Sequence, residues 1–283
     1  MNWTRQRHQW RIREAEISLG GRTLVSGILD LNRFLGDAGK PERDDTLLAA
    51  QKMEEQGAAL IDVTAQHDPL EGRVLSSDDE LRRLVPVLRR LRHNLGTPVC
   101  VSTCHAATAE RVIELGAAVI HDFTGLAFDH NLAGVINRAG AGLILGHIRG
   151  APETWKKLLP ISNLLETVAE GLASSIARAR AAGIDSRQIV VDPGLGMGKR
   201  GAENHELLRN LEQLSTLGQP LQVGPSRKPF VVESVRAPES EWIFSTAAVA
   251  AISAAQGAHL LRVHEVSETV LAVKVVDRML ESV

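Results

Sequence analysis

The sequence predicts an α/β protein of the (β/α)₈, or TIM-barrel, class with a short N-terminal extension. Eight short runs rich in Val, Ile, Leu and Ala alternate with longer segments of helical spacing. Eight parallel strands close into a barrel, and the 283 residues suit a fold that commonly takes about 250. We therefore predict an extension over residues 1–23, packed on the barrel bottom, and a barrel over residues 24–283.

The apolar runs are continuous over four to eight residues, which is typical of strands buried on both faces of a parallel sheet. In chain order they cover residues 24–31, 58–63, 98–101, 117–120, 142–145, 188–191, 220–223 and 258–263.

The segments between the runs repeat apolar residues at the i, i+3, i+4 spacing of amphipathic helices. Ser77-Asp78-Asp79-Glu80 predicts a capping box at the start of one helix, with Ser77 as the cap and Glu80 as its partner. The other predicted helices cover residues 44–56, 106–115, 164–182, 204–217, 244–255 and 266–280.

Composition excludes several classes of function. With 32 basic and 34 acidic residues the formal charge is −2, so there is no concentrated basic surface for nucleic acid or an anionic membrane. Tyr is absent and aromatic residues total 3%, which argues against base-stacking platforms. No apolar run reaches a membrane span of roughly 18 residues, and the N-terminus lacks an apolar signal region. Two cysteines form no disulfide framework, so we expect a cytoplasmic protein.

Polar residues end every predicted strand. Active sites of such barrels lie at the C-terminal ends of the strands, so these side chains are the first candidates for a site. The candidates are Asp30, Asp62, Ser102, His121, Asp122, His147, Asp192, Ser226, Arg227, Lys228, Arg262 and His264. Any one of them could instead be a helix cap, but together they favour a site.

The last two strand ends predict an anion site. Lys228 follows the seventh strand, and Arg262 and His264 alternate at the eighth, so the latter two point to one side. Loops after strands seven and eight commonly bind phosphate in these barrels. The guanidinium group of an Arg, together with a Lys and a His, is well suited to bind a phosphate or diphosphate. The alternative interpretation is that these residues form a solvated basic edge.

The segment from Asp192 to Lys199 is rich in Gly but matches neither the P-loop nor the dinucleotide fingerprint. We interpret it as backbone that approaches a flat ligand closely, with Asp192 pairing with an edge that carries two N–H donors. Cys100 and Cys104 lack further zinc ligands nearby except His105, which favours ordinary buried thiols.

These motifs resemble the dihydropteroate synthase family. The specific part of the resemblance is Asp-Pro-Gly-x-Gly-x-Gly-Lys from Asp192, then Ser226-Arg227-Lys228, then Arg262-Val263-His264. Weaker similarity lies in Gly27-Ile28-Leu29-Asp30, in Ile61-Asp62-Val63, in His121-Asp122 and in His147-Ile148-Arg149-Gly150, so it spans nearly the whole chain.

The resemblance implies a transferase of folate biosynthesis, which joins p-aminobenzoate to a dihydropterin methyl diphosphate and releases pyrophosphate with the help of Mg²⁺. It implies catalytic roles for Asp192 and Lys228, which would also bind the pterin together with Ser102 and His121. It places the diphosphate at Arg262 and His264 and the metal at Asp30. It further implies small-molecule substrates and a homodimer formed through the outer helices.

Several functional positions depart from the family pattern. Ser102 stands where the family has a pterin-facing Asp, and His121 replaces an Asn. The first loop, from Asp30 to Phe34, is short, and the second, residues 67–71, differs as well. Because Ser102 lacks a charge, we expect slow turnover, and we expect Ser102→Asp combined with His121→Asn to raise synthase activity at least tenfold, about 1.4 kcal/mol.

The departures leave four hypotheses open. The first is a working synthase. The second is a paralogue that acts on another pterin or amine, and the third is a non-catalytic pterin-binding protein. The fourth is a corrinoid methyltransferase with a methyl-folate substrate, which has no evident need for the anion site.

Overall fold

The protein forms an eight-stranded parallel barrel with helices on the outside, as the sequence predicted. The computed structural model describes residues 5–35, 43–66 and 73–281. The barrel strands, all buried, are β3 (Leu24–Asp30), β4 (Leu60–Thr64), β5 (Val99–Ser102), β6 (Val119–Asp122), β7 (Gly142–Gly146), β8 (Ile189–Asp192), β9 (Gln222–Val223) and β10 (Leu260–Val263).

The order of the strands explains how the mouth of the barrel is assembled. The hydrogen-bonded order is β8-β7-β6-β5-β4-β3-β10-β9, with every pair parallel. A single parallel bridge between Val191 and Leu221 closes the ring, and the amide of Val191 donates to the carbonyl of Pro220 at 2.9 Å. The C-terminal ends of all eight strands therefore meet at one face.

The helices surround this barrel. They are α1 (Arg43–Glu55), α2 (Ser77–Leu91), α3 (Ala106–Glu114), α4 (Leu132–Ala139), α5 (Leu164–Ala181), α6 (Gly201–Arg209), α7 (Pro229–Val235), α8 (Trp242–Ala255) and α9 (Val266–Leu280). The sequence patterns missed α4 and α7, which have eight and seven residues and offer few periodic positions. The second half of the predicted helix over 204–217 is a 3₁₀ segment, Leu211–Leu217.

The predicted capping box at Ser77 and Glu80 is wrong by one residue. The cap of α2 is Ser76, whose hydroxyl accepts from the amide of Asp79 at 3.2 Å. Glu80 is fully buried instead, and it accepts from Gln66 Nε2 at 2.8 Å and from Thr103 Oγ1 at 2.6 Å. A buried carboxylate needs such partners, so Glu80 joins α2 to the ends of β4 and β5.

Residues 8–19 form a hairpin at the bottom of the barrel. Strands β1 (His8–Ile12) and β2 (Ala15–Leu19) pair antiparallel around a turn at Arg13, whose φ is 56°. Trp10 is fully buried against the first residues of the barrel strands, and its indole N–H donates to the carbonyl of Gln188 at 2.9 Å. The division of domains at residue 23 stays a prediction.

The hairpin covers the N-terminal end of the barrel, and the C-terminal ends of the strands lie at the opposite end. Asp30, Thr64, Ser102, Asp122, Gly146 and Asp192 are the last residues of their strands and lie around this end. Among the helices that the structure describes, none has both the length and the apolar character needed to cross a membrane.

Candidate active site

A cavity opens among the C-terminal strand ends and brings four of the predicted site residues together. Its lining consists of His121, Phe123, Gly146, Asp192, Gly194, Leu195, Met197, Gly224, Lys228 and Arg262. All four of the predicted polar residues are at least nine-tenths buried, so their charges and hydrogen-bonding groups are directed by protein contacts rather than by bulk water. This cavity is the candidate site.

Asp192 ends β8 and its carboxylate is held by two donors. Oδ1 accepts from the amide of Gly194 at 2.8 Å, and Oδ2 accepts from Gln222 Nε2 at 3.0 Å. Each carboxylate oxygen can accept more than one hydrogen bond, so the two oxygens can also receive a pair of N–H donors from a ligand. The sequence patterns missed Gln222, which orients Asp192 from the neighbouring strand β9.

The Gly-rich loop after Asp192 is fastened by Lys199. Its ammonium nitrogen donates to the carbonyl of Gly194 at 2.8 Å and to that of His147 at 3.2 Å. Burial lowers the pKa of Lys199 to about 7, although the carboxylates of Asp192 and Glu203 act in the opposite direction. Gly194 has a φ of 66°, and a Cβ there would collide with the His147 carbonyl, so this position requires Gly.

Lys228 stands at the N-cap of α7 and is 4% exposed. Its carbonyl accepts from the amides of Val231 and Val232, which fixes the backbone from which the side chain reaches the cavity. Lys228 and Asp192 line the same cavity, so a cation and a carboxylate face the same ligand-sized space.

Arg262 is ion-paired with Asp62 at the floor of the mouth. Arg262 Nε donates to Asp62 Oδ2, and the two side chains are 7% and 1% exposed. Burial alone raises the pKa of Asp62, but the charge of Arg262 and the imidazole of His121, whose Nδ1 lies 3.7 Å from Asp62 Oδ2, outweigh it and hold that pKa well below its usual range. Asp62 was predicted only as a polar strand end; a charged residue inside an apolar strand is the signal that a buried partner exists.

Ser102 and His121 belong to the same cluster as Asp62. Ser102 Oγ lies 3.0 and 3.1 Å from the two carboxylate oxygens of Asp62 and 3.1 Å from His121 Nδ1. Ser102 does not line the cavity, whereas His121 does. Ser102 therefore stands between a buried carboxylate and the imidazole that faces a ligand.

Asp122, next to His121, does not take part in this cluster. Its carboxylate accepts from the amide and the hydroxyl of Thr124 at 2.8 and 2.6 Å and from the amide of Leu126 at 2.5 Å. Burial raises its pKa even though these hydrogen bonds oppose the rise. Asp122 therefore fixes the loop that follows β6.

His264 follows β10 and does not line the cavity; it is held by Ser226, whose hydroxyl also donates to Glu265. Ser226 Oγ is 2.9 Å from His264 Nδ1 and 2.9 Å from Glu265 Oε2. Glu265 also binds Arg227, through Nε at 2.7 Å and Nη2 at 2.6 Å. Arg227 has a φ of 53°, a strained backbone state for a residue with a side chain, and such states concentrate at functional sites.

Asp30 forms the edge of the mouth at the end of β3. Its Oδ1 accepts from the amide and the side chain of Asn32 at 3.0 and 2.7 Å, which caps the short 3₁₀ segment Leu31–Phe34. Asn32 Oδ1 in turn accepts from Arg83 Nη1 of α2 at 2.6 Å. The short first loop is thus fastened to β3 and α2, and Asp30 is not part of the cavity lining.

Three further sequence predictions concern the two cysteines, His147 and the second loop. Cys100 and Cys104 are free, buried thiols, and burial raises the pKa of each. Burial, with the nearby charge of Lys199, lowers the pKa of His147 to about 3, so this imidazole is neutral. The second departing loop, residues 67–71, lies outside the described residues.

Comparison with known proteins identifies the class of this barrel. A family model described as pterin binding enzyme matches residues 32–264. Curated relatives called dihydropteroate synthase include one from Synechocystis sp., 33% identical over 92% of this chain and 91% of its own, and one from Bacillus subtilis, 32% identical over 93% and 91%. The chain is a pterin-binding enzyme of the dihydropteroate synthase family.

Solved structures agree with this assignment. A dihydropteroate synthase from Yersinia pestis in complex with a sulfonamide drug has a TM-score of 0.90 at 31% identity, covering 97% of this chain and all of that one. The Xanthomonas albilineans enzyme with 4-aminobenzoic acid has a TM-score of 0.88 at 27% identity, covering 98% of this chain and 100% of that one. The fold and family predictions are confirmed.

Proposed function

We propose that this protein is a working dihydropteroate synthase, which condenses a dihydropterin methyl diphosphate with p-aminobenzoate in folate biosynthesis and releases pyrophosphate. The observation that carries the proposal is the convergence of Asp192, Lys228 and Arg262 on one buried cavity. Asp192 is a hydrogen-bond acceptor for the amino edge of a pterin, and Lys228 is a donor for its carbonyl edge. Arg262 is a cation that suits the diphosphate.

The pterin would bind flat against the Gly-rich loop. Asp192 would accept from the ring N–H and the amino group of the pyrimidinone edge, and Lys228 would donate to its carbonyl side. Asp192 is already oriented by Gly194 and Gln222, so little reorganisation is needed when the ligand arrives.

The diphosphate would lie at Arg262 and His264. In the reaction the amine nitrogen forms a bond to the pterin methylene, the bond from that carbon to the diphosphate oxygen breaks, and the amine loses a proton to solvent. A nearby carboxylate would stabilise the positive charge that develops on the methylene. We assign this role to Asp62, which accepts a hydrogen bond from Ser102. Arg262 and Lys228 would stabilise the departing diphosphate.

The carboxylate of the amine would bind at the outer rim. Arg33 of the first loop and Arg227 of the loop after β9 both approach Glu239 Oε1, at 3.5 and 3.4 Å. The side chain of Glu239 is 66% exposed and can move away. Two guanidinium groups around one carboxylate are a suitable receptor for an anionic amine such as p-aminobenzoate.

Mg²⁺ is the cofactor we propose, with Asp30 as its protein ligand. Among the described residues no three His, Cys, Asp or Glu side chains gather into a metal cluster. Proteins often hold Mg²⁺ by one or two carboxylates together with substrate phosphates, and the hydrogen bonds of Asp30 within the described chain all fall on Oδ1. When bound, Mg²⁺ would neutralise charge on the leaving diphosphate.

A homodimer is proposed on the outer face of α8 and α9. Phe244, Leu271 and Val275 on these helices are 73%, 62% and 63% exposed, and exposed apolar residues of this size favour a protein interface. Sedimentation analysis should show a dimer that Leu271→Asp dissociates. We also propose a cytoplasmic location, on the ground that the two cysteines form no disulfide framework.

A second candidate is a paralogue that uses the same site for another pterin or amine. It is favoured by His121, which changes a hydrogen-bonding group of the cavity relative to the family pattern, and by Ser102, which contacts His121 from behind. The other candidates, a non-catalytic pterin-binding protein and a corrinoid methyltransferase, have no specific support from the site.

Pyrophosphate release from the dihydropterin diphosphate, measured with and without p-aminobenzoate and with Mg²⁺ or a chelator, tests the proposal. Release that requires both the amine and Mg²⁺ supports it. The paralogue is supported if the protein binds the dihydropterin diphosphate tightly but releases no pyrophosphate when p-aminobenzoate is added. In that case another arylamine should trigger the release. No binding and no release contradicts both.

A further inference from the structure

We propose that Asp62 and Ser102 fix the tautomer of His121, so that its Nε2 atom is a hydrogen-bond acceptor that selects reduced over oxidised pterins. The inference rests on the proposed function for the identity of the ligand, but the tautomer itself depends only on this chain. Ser102 and Asp62 are positioning residues in this arrangement, and His121 is the residue that determines specificity.

The carboxylate of Asp62 can only accept hydrogen bonds. Asp62 is ion-paired with Arg262 Nε inside the barrel, so its carboxylate is charged and has no proton to donate. Both of its oxygens lie within 3.1 Å of Ser102 Oγ, and such short contacts between oxygens are favourable only if one of them carries the hydrogen. The hydroxyl hydrogen of Ser102 is therefore directed to Asp62.

The hydroxyl of Ser102 has a single hydrogen to donate. Ser102 Oγ is also 3.1 Å from His121 Nδ1, and its hydrogen is already engaged with Asp62. The contact is a hydrogen bond only if Nδ1 donates to Oγ. Nδ1 of His121 therefore carries the proton, and in the neutral imidazole Nε2 has the lone pair.

The lone pair of His121 Nε2 faces the cavity. His121 is 6% exposed and lines the cavity together with Asp192 and Lys228. Within the described chain no hydrogen bond is made by His121 Nε2, although Nδ1 is engaged. The acceptor face of the imidazole is thus directed at a ligand rather than at the protein.

The order of strands around the barrel indicates which edge of the pterin meets it. Lys228 follows β9, Asp192 ends β8, and His121 lies on β6, in that order around the mouth. Around a pterin ring the carbonyl edge is followed by the ring N–H and amino group, and then by N1 and N8. With Lys228 at the carbonyl and Asp192 at the amino edge, His121 faces N1 and N8.

The state of N8 differs between reduced and oxidised pterins. In a 7,8-dihydropterin N8 carries a hydrogen and can donate to His121 Nε2, whereas in an oxidised pterin N8 has a lone pair that would face the lone pair of Nε2. A site built to accept a ligand N–H discriminates strongly against an analogue that lacks it. We expect the dihydropterin to bind at least tenfold more tightly.

The tautomer is tested by two-bond ¹H–¹⁵N correlation spectra of the full chain with ¹⁵N-labelled histidine. The chain has ten histidines, and the signals of His121 are assigned by their loss in His121→Gln or His121→Phe. The Nδ1–H pattern is expected at neutral pH in wild type and in Ser102→Thr, and a mixture of tautomers in Ser102→Ala. An Nε2–H or doubly protonated ring in wild type would overturn the proposal.

Selectivity is tested by calorimetry with 6-hydroxymethyl-7,8-dihydropterin and its oxidised form. Wild type should prefer the reduced ligand at least tenfold. His121→Gln, which can present an amide oxygen near the position of Nε2, should keep most of this preference, and His121→Phe, which fills the space without an acceptor, should reduce it below threefold.

The outcomes separate the two proposals. Equal binding of both pterins by wild type, or an unchanged preference in His121→Phe, would contradict the role of His121 and leave the proposed function intact. Failure of both pterins to bind would contradict the proposed function and with it the ligand named here, whereas the spectra would still report the tautomer.

Discussion

Asp62 on β4 and Arg262 on β10 form a buried ion pair although strand β3 separates them in the barrel. The pair lies inside the C-terminal end of the barrel. Arg262, which we assign to the diphosphate, therefore also neutralises a buried carboxylate. Breaking one partner of a buried pair leaves an uncompensated charge, which is a cost of about 3–5 kcal/mol. A mutation of Arg262 must therefore be designed so that loss of binding is distinguished from loss of stability.

Arg262→Ala should weaken binding of pyrophosphate at least tenfold, because a charge-assisted fork to the anion is lost. The same variant should unfold at lower urea concentration, since Asp62 is left unpaired. Asp62→Asn combined with Arg262→Ala removes the stranded charge and should recover part of the stability without recovering binding. Calorimetry and urea titrations measure both effects.

Arg187→Ala is the matched control, because Arg187 pairs with Asp185 and Glu16 on the opposite side of the barrel from the mouth. It should bind pyrophosphate like wild type. Equal affinity of wild type and Arg262→Ala would contradict the assignment of the anion site.

Ser102→Asp combined with His121→Asn should lower kcat/KM at least tenfold, the reverse of what the family pattern alone predicts. The new carboxylate would meet Asp62, whose Oδ1 is 3.0 Å from Ser102 Oγ, and two carboxylates at such a distance do not both ionise. Steady-state kinetics of the double variant and of His121→Asn alone separate the two changes. A gain in kcat/KM for the double variant would contradict the role given to Asp62.

Arg33→Ala should raise the KM for p-aminobenzoate about three- to tenfold and leave the KM for the neutral p-aminobenzamide unchanged. The reason is that Arg33 is proposed to bind the carboxylate of the amine, with Arg227. Glu239→Gln, which removes the internal competitor, should lower the KM for p-aminobenzoate. Equal effects of Arg33→Ala on both amines would show that this arginine does not recognise the carboxylate.

The stability of the protein should rise with pH above neutrality because of Lys199. Its folded pKa is about 7 and its ordinary value is near 10.5, so between these values the unfolded chain binds a proton that the folded chain has released. The free energy of unfolding then increases with pH, by up to about 1.4 kcal/mol per unit. Below pH 7 both states are protonated and the effect is absent.

Lys199→Met should abolish this slope, while Lys52→Met, a change at an exposed lysine of α1, should keep it. The measurement is urea unfolding of the three proteins at pH 7.5 and pH 9. If the free energy of unfolding changes with pH equally in wild type and Lys199→Met, Lys199 is not a neutral amine in the folded state at high pH.

The sequence patterns predicted the barrel strands well because most of them are short, largely apolar runs with a polar residue at or just after the C-terminal end. They missed the β1–β2 hairpin, whose outer positions, such as Glu14 and Glu16, are exposed and interrupt any apolar pattern. They also placed the cap of α2 at Ser77 instead of Ser76, since two consecutive serines offer the same chemistry.

The sequence predicted which residues form the site, but it did not predict which of them contact one another. The ends of the strands pointed to Asp192, Lys228 and Arg262, which do line one cavity. The partnership of Asp62 with Arg262, and of Glu265 with Ser226, joins residues 200 and 39 positions apart in the chain. Such contacts depend on side-chain directions in the closed barrel, which periodicity does not encode.

Formation of the condensed product tests the proposed synthase activity most directly. Wild type, Asp192→Asn and Lys228→Met are incubated with the dihydropterin diphosphate, p-aminobenzoate and Mg²⁺, and product and pyrophosphate are both quantified, the former by mass spectrometry. Wild type should release one pyrophosphate for each dihydropteroate it makes, and each variant should lose at least a hundredfold in kcat/KM. Pyrophosphate release by wild type without dihydropteroate, or product formation that persists unchanged in both variants, would contradict the proposal.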